Sequence, residues 1–272
     1  MKTTIRILLS VLSFSLTASA EQPFISGLAV LPDRKFVETF SADYYAHQVK
    51  IENILVTKNF ISSLGGVFPM VNLAIFGMPA QASVASSVHF EVRPMGQAHV
   101  VSTDFYVDYL ILDMNLRDDY YIRFVTGHTS HHLSDNWYER LQLTQALHYS
   151  RDYVELSLIY AVPETFSLFA GANYGYIFHL PGKENMKWMF HAGGEKVIVS
   201  IFETMMLYTG VDIKLREEAN YASSQAFQFG VRIPMPHHPL KIAYQFRNGL
   251  DERGQFFGEH ISRHTVGLYI GV

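Results

Sequence analysis

The sequence contains no cysteine. A disulfide framework, a thiolate metal site and a cysteine nucleophile are therefore excluded together. Charge is sparse as well: 17% of the 272 residues are Asp, Glu, Lys or Arg, and the formal net charge is -4. A protein that neutralises phosphates needs a basic surface, so a nucleic-acid partner is excluded too. Nor does any stretch reach the roughly 18 consecutive apolar residues of a membrane-crossing helix. The apolar run from Ile7 to about Leu16 falls short of that length, follows Lys2 and Arg6, and closes in Ala18-Ser19-Ala20. That layout is a secretory signal peptide with an A-x-A cleavage site. Residues 1–20 are read as the leader and 21–272 as one mature domain, and removing Lys2 and Arg6 takes the charge from -4 to -6. An exported chain with no helical anchor and no cysteine for a lipid anchor is either a soluble periplasmic protein or a closed barrel in the outer membrane.

What the chain does have is aromatic residues, 14% of the total, in segments of about ten to fourteen residues separated by short turns. Strands are predicted over Phe36–Gln48, Val67–Phe76, Val84–Arg93, Asp104–Asn115, Tyr120–Ser130, Trp137–Ser150 and Asp152–Ala161. Six more are predicted over Thr165–His179, Lys187–Val197, Thr204–Arg216, Tyr221–Pro234, Leu240–Asn248 and Ile261–Val272. Within Tyr221–Pro234, Ala222, Ser224, Ala226, Gln228, Gly230 and Arg232 alternate with Phe227, Phe229, Val231 and Ile233. In a soluble sandwich the bulky face packs inside; in a membrane barrel it meets lipid and the polar face lines the lumen. Strand length, the signal peptide and the aromatic pairs Tyr44-Tyr45, Tyr120-Tyr121, Trp137-Tyr138 and Phe256-Phe257 favour the barrel. About 20 residues per strand and connection gives roughly twelve strands. The fold class is thus all-β, a single antiparallel transmembrane β-barrel of about 12 strands. Thirteen segments have the wrong parity, so the first or the third is surplus.

The smaller polar clusters have plain readings. His237-His238 lies between prolines in a turn, Asp118-Asp119 and Glu217-Glu218 are solvated loop charges, and Gly193-Gly194 marks a bulge or close packing in the wall.

The chemically dense stretch runs from Gly127 to Glu139, GHTSHHLSDNWYE. Residues two apart on a strand share a face, so His128 and Ser130 lie with Ile122, Phe124 and Thr126, opposite Arg123 and Gly127. That is the lipid-facing side. A hairpin pairing residue 128 with 139 or 141 brings Ser130, His128 and Glu139 onto one outward patch, and a serine nucleophile needs such a base and orienting acceptor. A second chemical reading is a zinc-type site from His128, His131, His132 and Asp135, which converge only if the loop bends. A third is a passive barrel, structural or a small pore, whose rim histidines only satisfy turns and headgroups.

The His-x-Ser at a strand end resembles the motif of the outer-membrane acyl hydrolases, the phospholipase A and lipid A 3-O-deacylase families. That resemblance implies Ser130 as nucleophile, His128 as base and Glu139 as orienter, with calcium as a possible cofactor and phospholipid or lipopolysaccharide as the partner. The next residue is His131 where those families usually carry Asn. A longer resemblance is to a bacterial family catalogued as a domain of unknown function and read as outer-membrane barrels, with the signature H-Q-S-S-H-L-G-D. His128, Ser130, His132, Leu133 and Asp135 match; Thr129, His131 and Ser134 depart. Leu31-Pro32-Asp33-Arg34 with Phe40-Ser41-Ala42-Asp43-Tyr44, and Gly249 with Gly254-Gln255-Phe256-Phe257, are similar to that family's opening and closing segments. The resemblance spans about residues 29 to 270 and implies the fold and an outer-membrane location. Barrels of this kind end their last strand in the periplasm, and counting back through thirteen segments places the His128–Glu139 hairpin on the periplasmic side.

Overall fold

The computed structural model describes residues 25–95, 97–135, 137, 139, 149–202, 204–235, 238–256 and 258–272. The predicted leader, residues 1–20, together with His237, Phe257 and most of the predicted strand 137–150, lies outside them. No helix among the described residues is long and apolar enough to cross a membrane.

The described residues form thirteen antiparallel strands: β1 Ile25–Val30, β2 Val49–Ile54, β3 Phe60–Ile75, β4 Met78–Met95, β5 Gln97–Arg117, β6 Tyr120–Leu133 and β7 Tyr149–Val162. They continue as β8 Phe166–His179, β9 Trp188–Phe202, β10 Met205–Arg216, β11 Ala222–Ile233, β12 Leu240–Leu250 and β13 His260–Ile270. Each pairs with the next from β2 onward, and β13 pairs back with β2 from Ile270↔Val49 to Thr265↔Ile54. Strands β2 to β13 thus close a barrel of twelve. β1 is outside the count, lying on the overhang of β3 through Ala29↔Asn72 and Val30↔Val71.

Side-chain alternation is that of a barrel in lipid. On β11, Ser224, Ala226 and Gln228 are buried in the lumen while Phe227 and Phe229 are 46% and 50% exposed. On β12 and β13, Lys241, Gln245, Arg247 and Thr265 point in, and Ile242, Tyr244, Val266 and Leu268 point out. A wall with its apolar side out and its charges in is stable only against hydrocarbon. Exposed aromatic residues gather near both ends: Tyr120 lies 4.8 Å from Tyr160 at one, and Trp188, Phe190 and Tyr221 are neighbours at the other. The Gly193-Gly194 pair is close packing, not a bulge. The register runs through it as Gly193↔Asp212 and Gly194↔Val211, and a Cβ on Gly194 would meet the Ser167 carbonyl at 2.2 Å.

Two predicted strands need correction. Phe36–Gln48 forms no strand; residues 36 to 48 are a plug inside the lumen. Besides short turns of its own, its backbone bonds side chains of the wall. Gln81 binds both Phe36 N (2.9 Å) and Arg34 O (2.8 Å), Glu195 accepts from Ser41 N at 2.6 Å, and Gln245 donates to Ala42 O at 2.8 Å. Backbone polar groups need partners, and here the wall supplies them instead of a ladder. Tyr44 and Tyr45 therefore face the barrel core, not a membrane interface. His47 latches the plug through Asp108 and Ser87, each at 3.0 Å. At the tip of the plug, Asp43 meets Lys214, whose ammonium also bonds Asp212 and lies 3.0 Å from Glu252. Removing one partner of a buried charge cluster leaves the rest uncompensated, so Lys214→Met should destabilise the barrel by roughly 3–5 kcal/mol. Denaturant unfolding in detergent micelles measures that loss; a variant as stable as wild type refutes the role.

The second correction concerns Trp137–Ser150 and with it the topology. β6 pairs directly with β7, Ser130↔Ser150 and His128↔Asp152, so the two are neighbours in the sheet, and most of Trp137–Ser150 lies outside the described residues. One strand fewer between residues 137 and 272 moves the β6–β7 connection to the end opposite the C-terminus, the end that also carries the β10–β11 and β12–β13 connections. The β12–β13 connection folds inward there: Asp251, Glu252, Arg253, Gln255 and Phe256 are all buried, and Tyr45 of the plug donates to Glu252 O at 3.0 Å.

Candidate active site on the outer wall

β6 runs unbroken to Leu133, so its even-numbered residues face outward and its odd-numbered residues face the lumen. His128 and Ser130 share the outward face with Phe124, as the alternation predicts, and both are half-buried. The register sets Asp152 of β7 opposite His128. Their side chains meet with Nδ1 2.8 Å from Oδ1, and they are only 32% and 24% exposed. Beside Asp152 the β7–β8 ladder breaks register, Asp152↔Ile177 being followed by Tyr153↔Gly175, so Tyr176 is an extra residue on β8. Such bulges re-aim side chains. Here both Tyr176 and Ile177 are exposed outward, and with Phe105, Tyr109 and Leu156 they put apolar side chains on the wall around the site.

The imidazole is thus held at one nitrogen by a carboxylate, with a serine hydroxyl two residues along the same face. That is the order acceptor, base, nucleophile. Glu139 is exposed in the connection after β6. The carboxylate that contacts His128 is Asp152, which sequence reasoning passed over. Its signal was parity: on β7 Asp152 falls on the face of Leu156 and Leu158, a carboxylate in an otherwise lipid-facing stripe.

The four candidate metal ligands do not converge. His131 points into the lumen and is fully buried, accepting from Gly254 N at Nδ1 (2.7 Å) and lying 2.8 Å from Thr129 Oγ1 through Nε2. His132 faces outward 6.0 Å from the Phe105 ring, and Asp135 is exposed at the rim. The straight strand, rather than a bent loop, separates them. The segment that contacts His131 tolerates no side chain at Gly254, whose Cβ would lie 2.0 Å from the Tyr149 ring. Among the described residues a different trio, Asp43, His191 and Asp212, comes within metal-ligating distance. Lys214 already supplies its cation, 2.6 Å from Asp43 and 2.5 Å from Asp212.

At the same end of the barrel, Asp251 is clasped by Arg253 through bonds of 3.0 and 2.6 Å, with Arg263 at 3.3 Å. Burial alone would raise its pKa, but Arg253 and Arg263 outweigh burial and hold it down at about 2. A carboxyl depressed in the folded state contributes stability above its unfolded pKa of about 3.9 and loses it as pH falls through the folded value. The stability gap between wild type and Asp251→Asn should therefore stay constant above about pH 4 and shrink between about pH 4 and pH 2. Unfolding midpoints across that range test it; a gap that is flat down to pH 2 rules it out.

Closed wall, apolar exterior, charged and plugged lumen: these define an outer-membrane-type β-barrel. Solved structures agree. The chain is similar to outer membrane phospholipase A from Escherichia coli, with a TM-score of 0.53 and 12% identity over 83% of this chain and 90% of that one. It is equally similar to the Salmonella typhi outer membrane phospholipase dimer with bound calcium, with a TM-score of 0.54 and 12% identity over 83% and 90%. At that identity the likeness is one of fold. The chain belongs to the family described as protein of unknown function (DUF1207), whose model matches residues 28–271. No curated protein matches the sequence.

Proposed function

We propose that this chain is a serine-dependent lipid acyl-ester hydrolase working on the outer wall of an outer-membrane barrel, at the leaflet away from its C-terminus. The observation that carries the reading is the His128–Asp152 contact of 2.8 Å, two residues from Ser130 on the same lipid-facing side. A paired histidine and aspartate in an apolar stripe are costly to place there for stability alone. The fold likeness to proteins named as outer membrane phospholipases supports the same chemistry.

In this mechanism Ser130 Oγ attacks the acyl carbonyl carbon and its proton passes to His128 Nε2. The ester C–O bond then breaks, and the leaving lipid oxygen takes that proton. Water attacks the acyl-enzyme, yields its proton to His128, and the fatty acid departs as Ser130 Oγ is reprotonated. Asp152 keeps the proton on Nδ1 and stabilises the imidazolium that forms. Calcium, bound in one of the similar structures, takes about six to eight oxygen ligands. The described neighbours of Ser130 across the sheet are Phe105 and Ser150, and Asp152 is engaged by His128, so these residues do not form that cage and no step passes through it.

Mass spectrometry of fatty acids released from phospholipid and from lipopolysaccharide by refolded protein, with and without calcium, tests the reading. Release that needs Ser130 supports it and identifies the lipid. A folded barrel that releases nothing under any of these conditions leaves the alternative, a non-enzymatic barrel.

A further inference from the structure

Between the plug and the wall of β5 to β9 lies an internal cavity of about 140 Å³. An engineered cavity of about 150 Å³ accepts benzene, so this one fits a molecule of roughly six to nine non-hydrogen atoms. A lipid or an acyl chain is too large. Part of the lining is apolar, from Val125, Ile159 and Phe169, with Phe40 of the plug opposite.

The polar lining is not self-satisfied. Arg151 is 3% exposed, and neither its Nε nor its Nη1 has a hydrogen-bond partner. Its carboxylate neighbour, Glu218, stands 4.0 Å from Arg151 and 3.9 Å from Arg216, too far to hydrogen-bond either guanidinium closely. Four residues along the same inward face of β7 is Glu155, paired in the register with Asn173. Glu155 accepts from Ser157 at 2.8 Å and from Asn173 at 3.3 Å, and no Lys or Arg is ion-paired with it among the described residues. Asn173 Oδ1 is buried without a donor. Of the other charges on this lining, Glu38 is exposed, and the rest are matched: Asp108 with His47 and Tyr153, Arg123 with Asp113, Asp43 with Lys214, His191 with Asp212. Buried polar groups are almost always satisfied, so the exceptions point to a ligand that completes them.

We propose that the lumen binds a small zwitterion of amino-acid size, its carboxylate on Arg151 and its ammonium on Glu155 and Asn173 Oδ1. Arg151 and Glu155 line the same cavity four residues apart on the inward face of β7. Unpartnered guanidinium donors lie at one end, and an unpartnered amide oxygen beside a carboxylate with no ion-paired Lys or Arg lies at the other. A simple anion would leave Glu155 unmatched, and a simple cation would leave Arg151 unmatched. Because the plug forms the facing wall, occupancy also holds the plug in place.

Calorimetric titration of the refolded full chain in micelles tests this with valine and 4-aminobutanoate as zwitterions, and isobutyrate and isobutylamine as single-charge controls. Saturable binding of a zwitterion at least tenfold tighter than either control is expected. Arg151→Gln and Glu155→Gln, checked for folding by circular dichroism, should each weaken it tenfold or more, while Arg151→Lys keeps part of it. Ser130→Ala should leave it unchanged, which separates this site from the outer-wall chemistry. Absence of saturable binding by both zwitterions, equal affinity for isobutyrate, or binding unaltered in both charge variants overturns the proposal.

Discussion

Replacing Ser130 with alanine is expected to lower fatty-acid release by roughly four orders of magnitude or more, because removing the nucleophile of a serine triad leaves only binding and electrostatic contributions. His128→Ala should fall to the same floor, and the double variant should fall no further. Members of a triad act as a unit, so their losses do not add. The substitutions sit on the lipid-facing wall, away from the ion pairs of the lumen, so the barrel should keep its fold. A serine-reactive fluorophosphonate supplies an independent readout: the adduct should map to Ser130 by peptide mass spectrometry and vanish in His128→Ala. Release that persists at wild-type level in Ser130→Ala removes the serine mechanism altogether.

The wall of the barrel was legible in the sequence because lipid outside and polar groups inside impose a period of two, seen plainly in Ser224, Gln228 and Phe227 of β11. The outward placement of His128 and Ser130 followed from the same period. β2 escaped notice because its inward residues are Lys50 and Glu52, buried charges in a six-residue strand that carries little apolar signal. The plug was misread for the opposite reason. Its aromatic and aliphatic residues resemble a strand locally, yet its backbone is satisfied by Gln81, Glu195 and Gln245, which are far away in sequence. Parity marks Asp152 as outward, but its meeting with His128 was not legible, because it comes only through the lateral register of β6 and β7, 24 residues along the chain. Periodicity tells which way a side chain points; it does not tell which neighbour it meets.

The carboxylate that orients His128 is therefore the sharpest point to test. Asp152→Asn should lower kcat by roughly two to four orders of magnitude with KM nearly unchanged, since an amide keeps the shape of the contact but favours the wrong imidazole tautomer and cannot balance the imidazolium. Glu139→Gln should stay within about twofold of wild type, as expected of a surface substitution away from the reacting groups. Asp152→Glu, which restores the charge on a longer arm, should recover part of the rate. The reverse pattern, a large loss in Glu139→Gln beside an unaffected Asp152→Asn, would return the role to Glu139 and leave the His128–Asp152 contact as a device for holding β6 to β7.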